Sequence, residues 1–287
     1  MAFLSAILFA ADIKQPGGLW ELLLLQVFTF IQNYGWRVVL FTLCLKLLLS
    51  PLDIFQRYKA RKNQKITEKL KPQMEKLQKQ YTDQTILAQK QMQLNKQAGF
   101  SYMSSCLPAI ITLVIMFTLL ASLNNVSQYM NFKDYYEMYT VYNEAIAEYE
   151  TLSDNDIAKL KNDGFLVEGY TDASGNEQPY QIQYGQKKVY DYYEENKTSF
   201  LWIKNIWSPD VPWKKEVNDY KTFQGNIGKY GTDVSKSGFT AEELELMKAR
   251  YSTVMGMLLK DENNGGNGYL ILPILSVLLS VGTQLIS

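Results

Sequence analysis

FTLCLKLLLSP, Phe41 to Pro51, is a run of leucines, a phenylalanine and a cysteine around one ammonium group, Lys46, with no acid within a helical turn of it. Lys46 lies inside the apolar run Val38–Leu49, and two more such runs follow at Leu107–Leu123 and Tyr269–Ile286. With its flanking residues each run approaches the ~20 residues that cross a ~30 Å hydrocarbon core. The 287-residue chain is 47% hydrophobic, an average share, but the apolar residues are bunched rather than spread. The pattern predicts an all-α membrane protein with three transmembrane helices.

Charge gives the topology. The formal net charge is zero by cancellation. Residues 53–105 carry eleven bases and four acids, net +7, and residues 123–267 carry fifteen bases and twenty-three acids, net −8. Short loops rich in Lys and Arg stay in the cytoplasm. The expectation is therefore an extracytoplasmic N-terminal segment 1–34, a span at 35–54 and a cytoplasmic basic helical hairpin at 55–105. A span at 106–123, an extracytoplasmic acidic domain at 124–267 and a last span at 268–287 follow.

Within this frame, Phe3–Ala11 is too short to span and lacks the bases of a signal peptide. It reads as the remnant of a targeting signal or a segment dipping into the interface. Gly18–Ile31 suits an amphipathic helix lying in the headgroup layer. In the hairpin, Ile66, Leu70, Met74 and Leu77 make a narrow seam of the kind that pairs two helices. Tyr81-Thr82-Asp83 is the turn, Asp83 the cap of the second arm, and Pro72 argues against one straight rod. Outside, Asn124–Glu150 continues the second span, Ser153 N-caps a short helix and Ala173–Asn176 is a turn. The Tyr-rich stretch from Pro179 reads as a hairpin or a helix, Thr240–Glu243 starts a helix, and Glu262–Gly268 reads as a flexible linker. The insertion is mostly helical and carries no catalytic signature.

Histidine is absent, and the two cysteines, Cys44 and Cys106, lie in or beside spans. A transition-metal site, a His-based triad and an external disulfide framework are therefore not expected. No cofactor and no bond-breaking enzyme activity is expected.

On a helix, Thr42, Lys46, Ser50 and Asp53 share one stripe. In the last run Ser276, Ser280, Thr283, Gln284 and Ser287 do the same, while the middle run adds only Thr112 and Thr118. A lysine near a bilayer centre costs roughly 2.5–3.5 kcal/mol on insertion scales, and is tolerated where it snorkels or faces water inside a bundle. Two polar stripes favour a wet groove open to the cytoplasm that attracts acidic polypeptide or other anions. Packed interfaces use small hydroxyl residues too.

Asn33–Trp36 leading into LFTLCLKLLLSPL, the basic hairpin and CLPAIITLVIMFTLLASL together resemble the YidC/Oxa/Alb family of membrane protein insertases. FLWIKNIWSPD (Phe200–Asp210) and Tyr269–Gln284 resemble the family's later external segment and third conserved span, in the family's order. The resemblance implies an insertase and membrane chaperone. Its positively charged groove would receive transmembrane segments of nascent membrane proteins and pass them into lipid without hydrolysing ATP. Lys46 would take the place of the groove arginine, keeping the charge without the planar fork. Thr42, Ser50, Thr112, Ser276, Ser280 and Gln284 would line the groove, with Val114 where the family has proline. The implied setting is the bacterial plasma membrane, single-membrane type. The implied partners are nascent chains, the lipid bilayer, the ribosome, the Sec translocon and a targeting receptor, with no specific DNA binding. Bacterial members have five conserved spans, so the expectation is a fragment that ends after the third. The competing expectations are a membrane-anchored structural or interaction protein whose external domain does the work, and a small anion transporter.

Overall fold

The computed structural model describes residues 15–81, 83–100, 102–232 and 241–286. Phe3–Ala11, Thr82, Thr240 and Ser287, and the side chain of Cys106, lie outside the described residues. The described residues are all-helical, with nine α-helices, no strand and three isolated bridges. Two helices are long and apolar enough to cross a membrane, Tyr34–Gln80 and Leu107–Glu150; the apolar helix Ile271–Leu285 is shorter. The chain divides into two compact units, Val39–Ser122 and Met1–Val38 with Leu123–Ser287.

In the first of these, α2 (Tyr34–Gln80) contributes most of its 47 residues. It continues unbroken through Pro51 and Pro72. A helical proline cannot donate to the carbonyl four residues back. At Pro51 that carbonyl belongs to Leu47, and the Ser50 hydroxyl donates to it at 2.9 Å. The segment ends at Gln80, and α3 (Gln84–Gln97) begins with Asp83 as its cap, accepting from the Thr85 N–H at 2.7 Å. Between residues 55 and 100 the buried side chains are Asn63, Leu70 and Asn95, with Ile66, Met74 and Leu77 half-buried. The expected seam Ile66, Leu70, Met74 and Leu77 is thus the less exposed side of α2, while Ile86 and Met92 of α3 are exposed. Only 6% of the most apolar window of α2 is buried, and 11% of that of α4 (Tyr102–Glu150). A soluble core helix covers its leucines, whereas Leu47 is 73% exposed.

The other unit is built on the later half of α4. Helices α5 (Asp154–Asn162), α6 (Tyr180–Asn196), α7 (Tyr220–Thr232) and α8 (Ala241–Val254) complete it. Its core is aromatic: Phe223 stacks on Tyr251 at 4.6 Å and Tyr135 lies 5.1 Å from Tyr251, tying α4, α7 and α8 together. Val189 and Tyr193 of α6 and Met255 and Leu258 close it. A smaller cluster of Ala145, Leu166 and Tyr184 sits beneath α5, whose Ser153 and Asp156 form a reciprocal capping box. The Tyr-rich stretch is thus the helix of its two expected forms. The turn at Ala173–Asn176 forms with Gly175 at φ +82°, a conformation glycine adopts without cost.

Ahead of α2, α1 (Leu19–Gln26) buries Glu21 and Leu24. The Glu21 carboxylate accepts from Asn125 Nδ2 of α4 at 2.8 Å, so this acid in an apolar helix faces a partner rather than water. The last helix is α9, Ile271–Ile286, 16 residues. At 1.5 Å per residue it is about 24 Å long, short of a ~30 Å core.

Candidate functional site

The predicted site residues fall on two helix faces and one isolated position. Helix α2 carries Thr42, Lys46 and Ser50 on one stripe; Thr42 and Lys46 are exposed and Ser50 is half-buried. Among the described residues no carboxylate lies within ion-pair range of Lys46, whereas Arg37 earlier in α2 is engaged. Its guanidinium donates to the carbonyls of Ile31, Thr29 and Gln32 and closes the turn before the helix. Helix α9 carries Ser276, Ser280 and Gln284, all exposed. Thr112 stands apart on α4, half-buried.

Three of the hydroxyls bond within their own helices. Ser50 serves Leu47, Thr112 donates to the Pro108 carbonyl at 3.0 Å and Ser280 to the Ser276 carbonyl at 2.8 Å. Such back-bonding lets Ser and Thr sit in an apolar setting without an external partner. Lys46 is different, because no helix interior offers a free acceptor to an ammonium group.

The sequence reading missed a second group of residues, at the N-terminal ends of α2 and α9. Residues 197–219 make a compact loop that holds both. At α2, Asn33 Nδ2 donates to the Ser199 carbonyl at 2.7 Å, and the Trp36 and Phe200 rings meet edge to face at 5.4 Å. Tyr34 packs on Trp207 at 4.7 Å. Gly35 lies against the Phe200 ring so closely that a Cβ there would overlap it.

At α9, Asp210 acts as a cap supplied from a distance. Its carboxylate accepts from the N–H groups of Tyr269 at 2.8 Å and Leu272 at 2.9 Å and from Trp202 Nε1 at 3.2 Å. Burial raises its pKa, but these hydrogen bonds outweigh that and hold it below the usual carboxylate range. Next to it, Asn267 is fully buried. Its amide donates to the carbonyls of Asn205 at 2.9 Å, Ser208 at 2.9 Å and Pro209 at 3.1 Å, and its oxygen accepts from the Asn205 N–H at 2.7 Å. Asn264 exchanges two hydrogen bonds with the Val217 backbone, at 2.8 and 2.9 Å. The expected flexible linker at Glu262–Gly268 is therefore corrected: Asn264 and Asn267 tie it to the loop. The signal was present in FLWIKNIWSPD, which carries Asn205 and Asp210.

One acid of the aromatic-cored unit stands out. Asp134 lines an open cleft with Glu137, Met138, Tyr192, Tyr193 and Lys197. Burial, then the charge of Glu137, pushes its carboxyl up to about 7 against the pull of Lys133.

The family model described as 60Kd inner membrane protein matches residues 26–287. The membrane protein insertase YidC of Pediococcus pentosaceus is 31% identical over 97 residues, 32% of this chain and 33% of that protein. That of Thermotoga maritima is 37% identical over 89 residues, 31% of this chain and 19% of the relative. That of Fusobacterium nucleatum is 30% identical over 97 residues, 33% and 45%. The matched stretch spans less than half the length of each of these relatives. No solved structure matches. The chain belongs to the 60Kd inner membrane protein family.

Proposed function

We propose that this family member is a membrane protein insertase and chaperone. It receives transmembrane segments of newly made proteins in a hydrophilic, positively charged groove and releases them into the bilayer. Lys46 supplies the charge, and Thr42, Ser50, Thr112, Ser276, Ser280 and Gln284 the polar lining. In this reading α9 is a third span, lengthened by Tyr269 and Leu270. The N-terminus and residues 124–267 lie outside and the basic hairpin 55–105 lies in the cytoplasm, as its net +7 favours. The seam of α2 through Ile66, Leu70, Met74 and Leu77 would pair it with α3, presenting the hairpin's bases to the ribosome, the Sec translocon or a targeting receptor. The process breaks no covalent bond and uses no cofactor.

The observation that carries the reading is Lys46, an exposed ammonium group inside a helix window that is only 6% buried. Its charge would draw acidic tails, more strongly in a low-dielectric groove than in water. The back-bonded hydroxyls favour a second reading, in which the apolar helices merely anchor the external unit. Insertion into proteoliposomes separates the two. Lys46→Leu is expected to lower insertion of an acidic-tailed substrate by about tenfold, which corresponds to ~1.4 kcal/mol, and Lys46→Arg to preserve it. Photocrosslinkers at Thr42 and Gln284 should capture a stalled nascent chain, and one at Leu43 should not. Full activity of Lys46→Leu without adducts would return the anchor reading.

A further inference from the structure

Three large exposed side chains surround the loop that clasps the outer ends of α2 and α9: Leu201 is 61% exposed, Trp213 68% and Tyr269 67%. They are not scattered. Tyr269 stands two residues before α9 begins, with its N–H held by Asp210. Trp213 stands three residues after Asp210, beside the Pro212 backbone that packs on Gly266. Leu201 follows Phe200, whose ring covers Gly35 at the beginning of α2. The Phe200–Ile203 turn closes with two 2.9 Å backbone bonds and holds Leu201 at φ +55°, a left-handed conformation that costs a residue with a side chain. Strain and exposure together at a leucine call for an apolar partner.

We propose that Leu201, Trp213 and Tyr269 anchor this loop in the headgroup layer of the outer leaflet, with exposed Lys214 reaching lipid phosphates. The inference rests on the reading of α2 and α9 as spans. Two observations select lipid over a protein partner. Tyr269 precedes α9 by two residues, and Leu201 and Trp213 adjoin Phe200 and Pro212, which pack on Gly35 and Gly266, so a bilayer holding α2 and α9 puts its interface near them. The chemistry is also interfacial: an indole and a phenol with an apolar body and a polar edge, next to a lysine. Through Asp210, Asn267 and Phe200, a loop seated this way would fix the outer ends of both stripe-bearing helices relative to the membrane surface.

The test is site-directed spin labelling of the full chain in phosphatidylcholine–phosphatidylglycerol vesicles. Single cysteines are introduced on a C44S/C106S background as L201C, W213C and Y269C. V167C serves as the aqueous reference, its residue being 53% exposed in the external unit, and L278C reports on α9. The expected result is a ratio of oxygen to nickel-complex accessibility severalfold higher at 201, 213 and 269 than at 167. Values at those three sites equal to that at 167, with 278 shielded from nickel, would overturn the anchor while leaving α9 a span. Aqueous values at 278 as well would overturn both. Shielding from both reagents that disappears as protein is diluted in lipid would assign the patch to a second copy of the chain and also overturn the proposal.

Discussion

Replacing Asn267 tests whether the Asn-rich segment before α9 is structural. The side chain is fully buried, and its amide supplies three carbonyls, those of Asn205, Ser208 and Pro209, while its oxygen receives the Asn205 N–H. Asn267→Ala removes all four bonds. A buried polar group left unpaired costs about 1–3 kcal/mol, and water entering the vacated space recovers part of it. The expected loss is about 3–5 kcal/mol, on the scale of a domain's whole stability. Asn267→Asp keeps the shape and the acceptor but places a carboxylate against three carbonyl oxygens. At neutral pH it should be at least as damaging as alanine. Denaturant unfolding of the bilayer-reconstituted chain, followed by near-ultraviolet circular dichroism of the aromatic core, reads both variants. If the side chain merely fills space, the aspartate will be nearly silent and the alanine mild. That order would refute the assignment of Asn267 as the donor that holds the loop.

Two further outcomes follow from single residues. The carboxyl of Asp134 is raised to about 7 in the fold from an ordinary 3.8. The folded state therefore holds the proton that the unfolded state has already lost, and stability falls as pH rises from about 4 to about 7. At 1.36 kcal/mol per pH unit the loss is at most about 4 kcal/mol. Asp134→Asn should abolish that slope and exceed the parent in stability at pH 8; an unchanged slope in unfolding measurements between pH 5 and 8 would count against it. At Gly35 an added Cβ meets the Phe200 ring, while at Gly282 in α9 it meets nothing. Gly35→Ala should cost about 1–3 kcal/mol of unfolding free energy through overpacking, with partial recovery by Phe200→Leu, whereas Gly282→Ala should gain up to about 1 kcal/mol as a helix-interior glycine. Equal effects of the two alanines would contradict the packing at α2.

What the sequence made legible was local. The apolar runs of α2 and α4 declare themselves by length, and Asp83 and Ser153 cap their helices from within three residues. The stripe through Thr42, Lys46 and Ser50 follows from helical periodicity alone. What escaped was set by distance. Asn267 looks like a loop residue because its partners lie 58 to 62 positions earlier, and Asp210 caps a helix that begins some sixty residues after it. The Tyr-rich stretch was ambiguous because tyrosine is an indifferent helix former. Burial of Val189 and Tyr193 against the Tyr135–Tyr251 core makes it a helix. Nor does spacing reveal which polar residues satisfy themselves: Ser50 mends the gap left by Pro51, a role no count of hydroxyls on a face could assign.

Lys46 differs from Ser50 on the α2 stripe, because its helix offers an ammonium group no acceptor. The nearest charges along the helix are Arg37, nine residues before it, and Asp53, seven after. At 1.5 Å per residue those lie about 13 and 10 Å away, so the lysine stands near the centre of the apolar segment. Snorkelling needs a headgroup layer within the length of one side chain. Helical side chains also lean toward the helix N-terminus, which carries the Lys46 stem away from the nearer end. Arg37 shows the contrast, since it sits at the helix start and spends its donors on the carbonyls of residues 29, 31 and 32. With neither edge in easy reach, the cost of a central lysine, roughly 2.5–3.5 kcal/mol, is best offset by water at its own depth. Under the proposed function, a wet pocket at that depth with one fixed positive charge would serve a chain that passes polar segments into lipid, whereas an anchor would have no use for it.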